Sequence, residues 1–261
     1  MSAAAASLPT NASIPIGDIP ALVFPALGDT LIMVGIVMAI VVIVGIPLGS
    51  IVHNLGPGGL FENPVPHAVL SWIVSVGRSL PFLILMAAIV PFTRLLTGTN
   101  IGIPAAVVPM AIAGIAFFTR IVENSLRGVP RSLTRLAKAS GASPVQIIRT
   151  AQLSEAVPSI IGGLTINTIA MIEYSAIAGT IGAGGIGYVA VTYGYERFDN
   201  GVMLATIVIL VSLVALVQLV GDRLVRLTTP QPRPSSLFAR IASRMPTLTD
   251  HGTTLTPGDP R

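Results

Sequence analysis

Residues 30–52 carry no charged side chain, and neither do residues 100–119 or 200–221. Residues 67–93 hold one charge, Arg78, and residues 156–179 hold one, Glu173. A helix needs about 20 apolar residues to cross the hydrocarbon of a bilayer, and each of these stretches meets that length. Lipid offers no partner to a peptide N–H or C=O, so a spanning segment of this kind must be helical. Composition points the same way. Only 10% of the 261 residues are charged, against about 25% in an ordinary soluble domain, and the mean hydropathy is +0.82. The chain is expected to be all-α, a polytopic membrane protein with five transmembrane helices.

Lys and Arg set the orientation of such a chain. The link at residues 120–157 holds Arg120, Arg127, Arg131, Arg135, Lys138 and Arg149. The segment after the fifth span holds Arg223, Arg226, Arg233, Arg240, Arg244 and Arg261. Five spans place both on one side, with Arg94 and Arg197 opposite. The link and C-terminus are therefore expected in the cytoplasm and the N-terminus outside, in a cell membrane. No Lys or Arg precedes Arg78, so the start lacks the basic region of a cleaved signal peptide. The expected organisation is an external segment at 1–26, a membrane domain at 27–227 and a tail at 228–261. Six prolines within residues 228–261 predict a disordered cytoplasmic tail. It is either an unselected extension or a basic strip against anionic headgroups. Five spans do not divide into two equal halves, which argues against an inverted-repeat carrier.

The stretch "RSLTRLAKASGASPVQIIR" (131–149) concentrates positive charge and has specific punctuation. Pro130 opens a helix, whose Leu133, Leu136 and Ala137 share a face. Gly141 ends it in the left-handed conformation. Ser143 caps a second helix and Pro144 starts it. Val145, Ile147, Ile148 and Ala151 form its apolar face. Three readings compete: a plain basic loop, a DNA-reading helix-turn-helix, and a docking elbow for a cytoplasmic partner. Spans on both sides would pin a reading helix at the headgroups, so nucleic acid is not expected.

The elbow resembles the EAA loop of ABC importer permeases, within residues 123–157. Gly141 matches the pattern's Gly, Ala137, Ala142, Ser143 and Pro144 its surroundings, and Leu153 its Leu. Arg135 stands where the family carries Glu, and Ser154 where it carries Pro. Further stretches resemble one subgroup, the permease subunit of the D/L-methionine ABC importer. They are "GRSLPFLIL" (77–85), "VPFTRLLTGTNIG" (90–102), "TRIVENSL" (119–126), "EYSAIAGTIGAGGIG" (173–187), "YGYERF" (193–198) and "GDRLVR" (221–226). The resemblance implies a homodimer of five-span subunits. It also implies two copies of a cytoplasmic ABC ATPase, which bind ATP and Mg, and an external methionine-binding protein. It implies methionine transport by alternating access. Another small amino acid, or an ATP-independent channel or carrier, remains the alternative.

The chain has a single lysine, Lys138, and it does not sit in a phosphate-binding loop. ATP hydrolysis would have to come from another polypeptide, so the chain is not expected to be an enzyme. There is no cysteine, and His53, His67 and His251 lack metal-ligand spacing. No metal or catalytic constellation is expected. "GAGGIG" (182–187) spells G-x-G-x-x-G without the strand and helix that a dinucleotide site needs. Its glycines read as a sharp turn with close packing, at a simple cap or near an external gate. Glu173 either faces the translocation path, with Tyr174 and Ser175 beside it, or lies near the outer end and pairs with a neighbour such as Asn167. The family carries a small residue there. Pro81 bends the second span, and Arg78 and Ser79 line the path or anchor the span at the cytoplasmic interface. Gly45 and Gly49 permit close helix contact.

Overall fold

The computed structural model describes residues 14–229, and among them all regular structure is helical. The ends of the expected external segment and tail lie outside these residues. Helix α1 (Ile19–Leu55) is followed by α2 (Pro64–Ser79), α3 (Phe82–Ala88), α4 (Val90–Thr97) and α5 (Ile103–Arg127). Short helices α6 (Arg131–Ala139) and α7 (Pro144–Gln146) form the basic link. Wide π-helical turns at Ile147–Leu153 carry the chain without a break into α8 (Ser154–Ala178). A second wide turn (Gly179–Ala183), α9 (Gly185–Val189), a third (Ala190–Tyr195) and α10 (Asn200–Thr228) complete the order.

Helices α1, α5, α8 with its flanks, and α10 are each long and apolar enough to cross a membrane. The second expected span is different. Its helix stops at Ser79, and α2 and α3 meet at 105° across Leu80 and Pro81. Pro81 cannot donate to a continuing helix, and here it begins α3 rather than bending a continuous one. The contacts still require the chain to cross in this region. Asn54 at the end of α1 bonds Gln152 just before α8. The Gly102 N–H at the start of α5 donates to the carbonyl of Gly182 beyond α8, at 2.9 Å. Those two places are opposite ends of α8, so residues between α1 and α5 pass from one to the other. The fifth crossing is made in pieces.

The span limits also move. Helix α1 begins at Ile19, so residues 19–26 belong to the same helix as the first span. Helix α5 runs to Arg127, past the expected limit at Thr119.

The core lies where α1 packs against α5. A Cβ on Gly45 would come 2.8 Å from Phe118 Cδ1, and one on Gly49 2.8 Å from the Thr119 carbonyl oxygen. The small-residue pair thus sets this helix contact. Met33, Val37, Val41, Met110, Phe118, Val122 and Met171 are fully buried there. At the opposite end from the link, Asp199 caps α10. Its carboxylate accepts from the N–H groups of Ile14 (2.7 Å), Gly201 (3.0 Å) and Val202 (3.1 Å). These bonds, Ile14's foremost, hold its carboxyl below the usual range.

Candidate functional site

The elbow takes the form its residues dictate. Helix α6 ends at Ser140, and Gly141 follows with φ +78°, a left-handed conformation that costs other residues about 1–2 kcal/mol. The Gly141 N–H donates to the Lys138 carbonyl and the Ala142 N–H to that of Ala137, both orphan acceptors of the helix end. Ser143 then makes a reciprocal cap with Gln146. Gln146 N–H donates to Ser143 Oγ (3.4 Å), and Ser143 N–H donates to Gln146 Oε1 (2.8 Å). Pro144 occupies the first helical position. Ser143→Ala is expected to cost about 1 kcal/mol locally. The readout is faster tryptic cleavage at Arg149 with the global melting temperature unchanged.

Leu133 and Leu153 pack against the core, and Ile147 is fully buried. Leu136 and Val145, on either side of the turn, are 67% and 59% exposed. The elbow is thus anchored at both ends and presents two unpartnered apolar side chains at its tip. Ser154, in place of a proline, donates its hydroxyl to the Arg149 carbonyl at 2.9 Å, satisfying an acceptor in the widened turns.

Beneath the elbow lie two polar groupings that the sequence did not single out. Asn54 and Gln152 exchange amide hydrogen bonds of 2.9 and 3.0 Å, both side chains buried, and Asn54 also donates to the Ser50 carbonyl. This pair joins the widened turns after the elbow to the end of α1. Asn54→Leu strands the Gln152 amide in the interior, at a cost of about 1–3 kcal/mol. In thermal melts of the purified protein, Asn54→Leu/Gln152→Leu is expected to lose less than the two single variants summed.

The second grouping centres on Glu123. Its side chain is fully buried and accepts from Arg120 at 2.6 Å and Arg127 at 2.5 Å. Arg120 also donates to Ser75 Oγ at 3.0 Å, tying α5 to α2. The sequence signal was present: positions 120, 123 and 127 share one helical face. Reading α5 as ending at Thr119 hid it.

The intramembrane residues divide. Arg78 and Ser79 form the last turn of α2, and Pro81 starts α3. The Arg78 guanidinium lies 5.5 Å from the Phe117 ring centroid, about midway along α5 rather than at its link end. Phe82, which follows Pro81, stacks parallel on Tyr174 with centroids 4.2 Å apart. The break in the second span and the Tyr174 region of α8 are therefore together. Ser175 is buried and donates to the Ile172 carbonyl, facing the interior. Glu173 is exposed and forms no ion pair or hydrogen bond among the described residues, and the Asn167 amide donates instead to Met38 Sδ at 3.7 Å. From Ser159 onward the exposed positions of this helix recur every seven residues: Ser159, Ile166, Glu173 and, just past α8, Thr180. The glycine-rich segment turns as expected, with φ of +97°, +84° and +79° at Gly182, Gly184 and Gly185.

Residues 45–230 match the family described as binding-protein-dependent transport system inner membrane component. A probable D-methionine transport system permease protein MetI of Vibrio cholerae is 46% identical over 78% of this chain and 91% of its own length. One of Pasteurella multocida is 40% identical over 75% and 90%. A structure of the MetNI methionine ABC transporter in an inward-facing conformation superposes with a TM-score of 0.79 at 38% identity, over 80% of this chain and 97% of that one. An amino acid ABC transporter at 20% identity (TM-score 0.57) shares the fold. The capped elbow, the five crossings and the breadth of these matches have one conclusion: the chain belongs to the family of inner membrane components of binding-protein-dependent transport systems.

Proposed function

We propose that this chain is the membrane-spanning permease subunit of an ATP-driven importer that moves methionine into the cell by alternating access. It works as a homodimer with two copies of a cytoplasmic ATP-binding subunit, which hold ATP and Mg. An external methionine-binding protein delivers the solute. The link and the end of α10 face the cytoplasm, and the start of α1 faces outside. The observation that carries this reading is the elbow. A capped turn with Leu136 and Val145 exposed is built to sit in a cleft of another protein, and it continues directly into α8. ATP binding favours one arrangement of the partner subunits, and the elbow passes that bias into the spans.

The exposed stripe of α8 supports placing the path along that helix. A carboxylate facing lipid at mid-bilayer costs about 2.5–3.5 kcal/mol on insertion scales, so Glu173 faces water or protein. Its neighbour Tyr174 packs on Phe82 beside the break at Pro81, where Arg78 and Ser79 also lie. The test is uptake of radiolabelled methionine into vesicles holding this chain, its ATP-binding subunit and its binding protein. ATP-dependent accumulation that is lost with Gly141→Val is expected. Accumulation without ATP would overturn the reading.

A further inference from the structure

A cleft of about 580 Å³ lies against the elbow's first helix and away from its apolar tip. One wall is the loop at residues 56–60 after α1, with His67 of α2 beside it. The floor is the end of α5. The other wall is a single face of α6, from which Arg131, Arg135 and Lys138 all line the space. None of these three forms an ion pair among the described residues. The one acid in the lining, Glu123, is already saturated by Arg120 and Arg127.

The loop is fitted to this charge. Gly58 adopts φ +77°, and a Cβ there would come 3.2 Å from the guanidinium carbon of Arg131. A Cβ on Gly56 would lie 3.1 Å from His67 Nε2. Backbone without side chains therefore approaches both groups closely, and Arg131, Arg135 and Lys138 line the space beside it. Leu136 and Val145, at the elbow's apolar tip, are not among the cleft's lining residues.

The cleft's level matters. It opens where α1 and α5, apolar through their spans, reach their ends at His53 and Arg127. On the proposed topology this end faces the cytoplasmic headgroups, and basic pockets between spanning helices suit phosphate. Arg131 and Arg135 offer planar donors that match phosphate oxygens two at a time. We infer that this cleft is a binding site for a phosphate-bearing anion, held by Arg131, Arg135 and Lys138. A phospholipid headgroup and a soluble phosphate compound share that chemistry. The inference does not depend on which solute is transported.

The complex of this chain with its ATP-binding subunit, stripped of lipid in detergent, is titrated with short-chain phosphatidylglycerol, phosphatidylcholine, glycerol phosphate or inorganic phosphate. Binding is read by native mass spectrometry. Saturable binding of one anion per permease chain is expected, weakened at least tenfold by Arg131→Gln/Lys138→Gln. Arg131→Lys, with an unchanged melting temperature, is expected to retain most of it. Binding of phosphatidylglycerol alone assigns the site to lipid, and binding of glycerol phosphate or inorganic phosphate alone assigns it to a soluble compound. Equal binding by wild type and the double variant, or none by either, overturns the inference. So does cross-linking of Arg131 or Lys138 to acidic residues of the ATP-binding subunit, which would make the cleft a subunit joint.

Discussion

Arg120→Ala lowers the unfolding free energy of the purified protein by about 3 kcal/mol, the low end of the range for removing one partner of a buried ion pair. The loss is asymmetric. Glu123 is fully buried and can go nowhere once a partner is gone, whereas Arg127 is 55% exposed and its guanidinium reaches water. Glu123→Ala accordingly costs less than either arginine variant, because it leaves no buried charge behind. Arg127→Ala falls between, because Arg120 still holds the carboxylate and Ser75 on α2. Thermal and denaturant melts in one detergent would separate the three. Equal losses for Glu123→Ala and Arg120→Ala would show that the buried carboxylate does not depend on its partners.

Gly187→Ala prevents the folded protein from accumulating. A Cβ at this position would stand 2.2 Å from the carbonyl oxygen, 2.4 Å from the Cα and 2.6 Å from the carbonyl carbon of Ala176. All three are backbone atoms of α8, so no side-chain rotation relieves the clash, and α9 must separate from α8. Overpacking commonly costs about 1–3 kcal/mol where side chains can shift. With only backbone to move, the cost lies above that range. Gly28→Ala is the matched control. It has nothing within 4 Å and an ordinary φ, and it is expected to leave yield and melting temperature unchanged. A monodisperse Gly187→Ala protein with the parental melting temperature would contradict the close approach.

The parts of the molecule that were legible in the sequence are those whose signals are local. Apolar length marked α1, α5, α8 and α10, and Gly141, Ser143 and Pro144 marked the elbow, because a left-handed residue and an N-cap act within a few positions of themselves. Pro81 announced a disturbance but not its size. Whether a proline bends a helix or starts a new one depends on what the next residues find to pack on, here Phe82 on Tyr174. The Asn54–Gln152 pair joins residues 98 apart and leaves no pattern in either neighbourhood. Glu123 was masked by its own charge. A polar run after an apolar one reads as the end of a span, unless its charges are seen to neutralise one another on one face. Glu173 left two readings, a face on the path or a pairing with a neighbour such as Asn167; its side chain is exposed and the Asn167 amide turns to Met38.

From Pro144 to Ala178 the chain is one helical rod, about 50 Å long at 1.5 Å per residue. One end is the elbow and the other meets the glycine turn that bonds Gly102. The seven residues at Ile147–Leu153 are wound more loosely than the rest, and they sit next to the elbow. Such a member works as a lever with a torsion spring near its handle. In the proposed importer, rocking of the elbow at Pro144 reaches the far tip only through those turns.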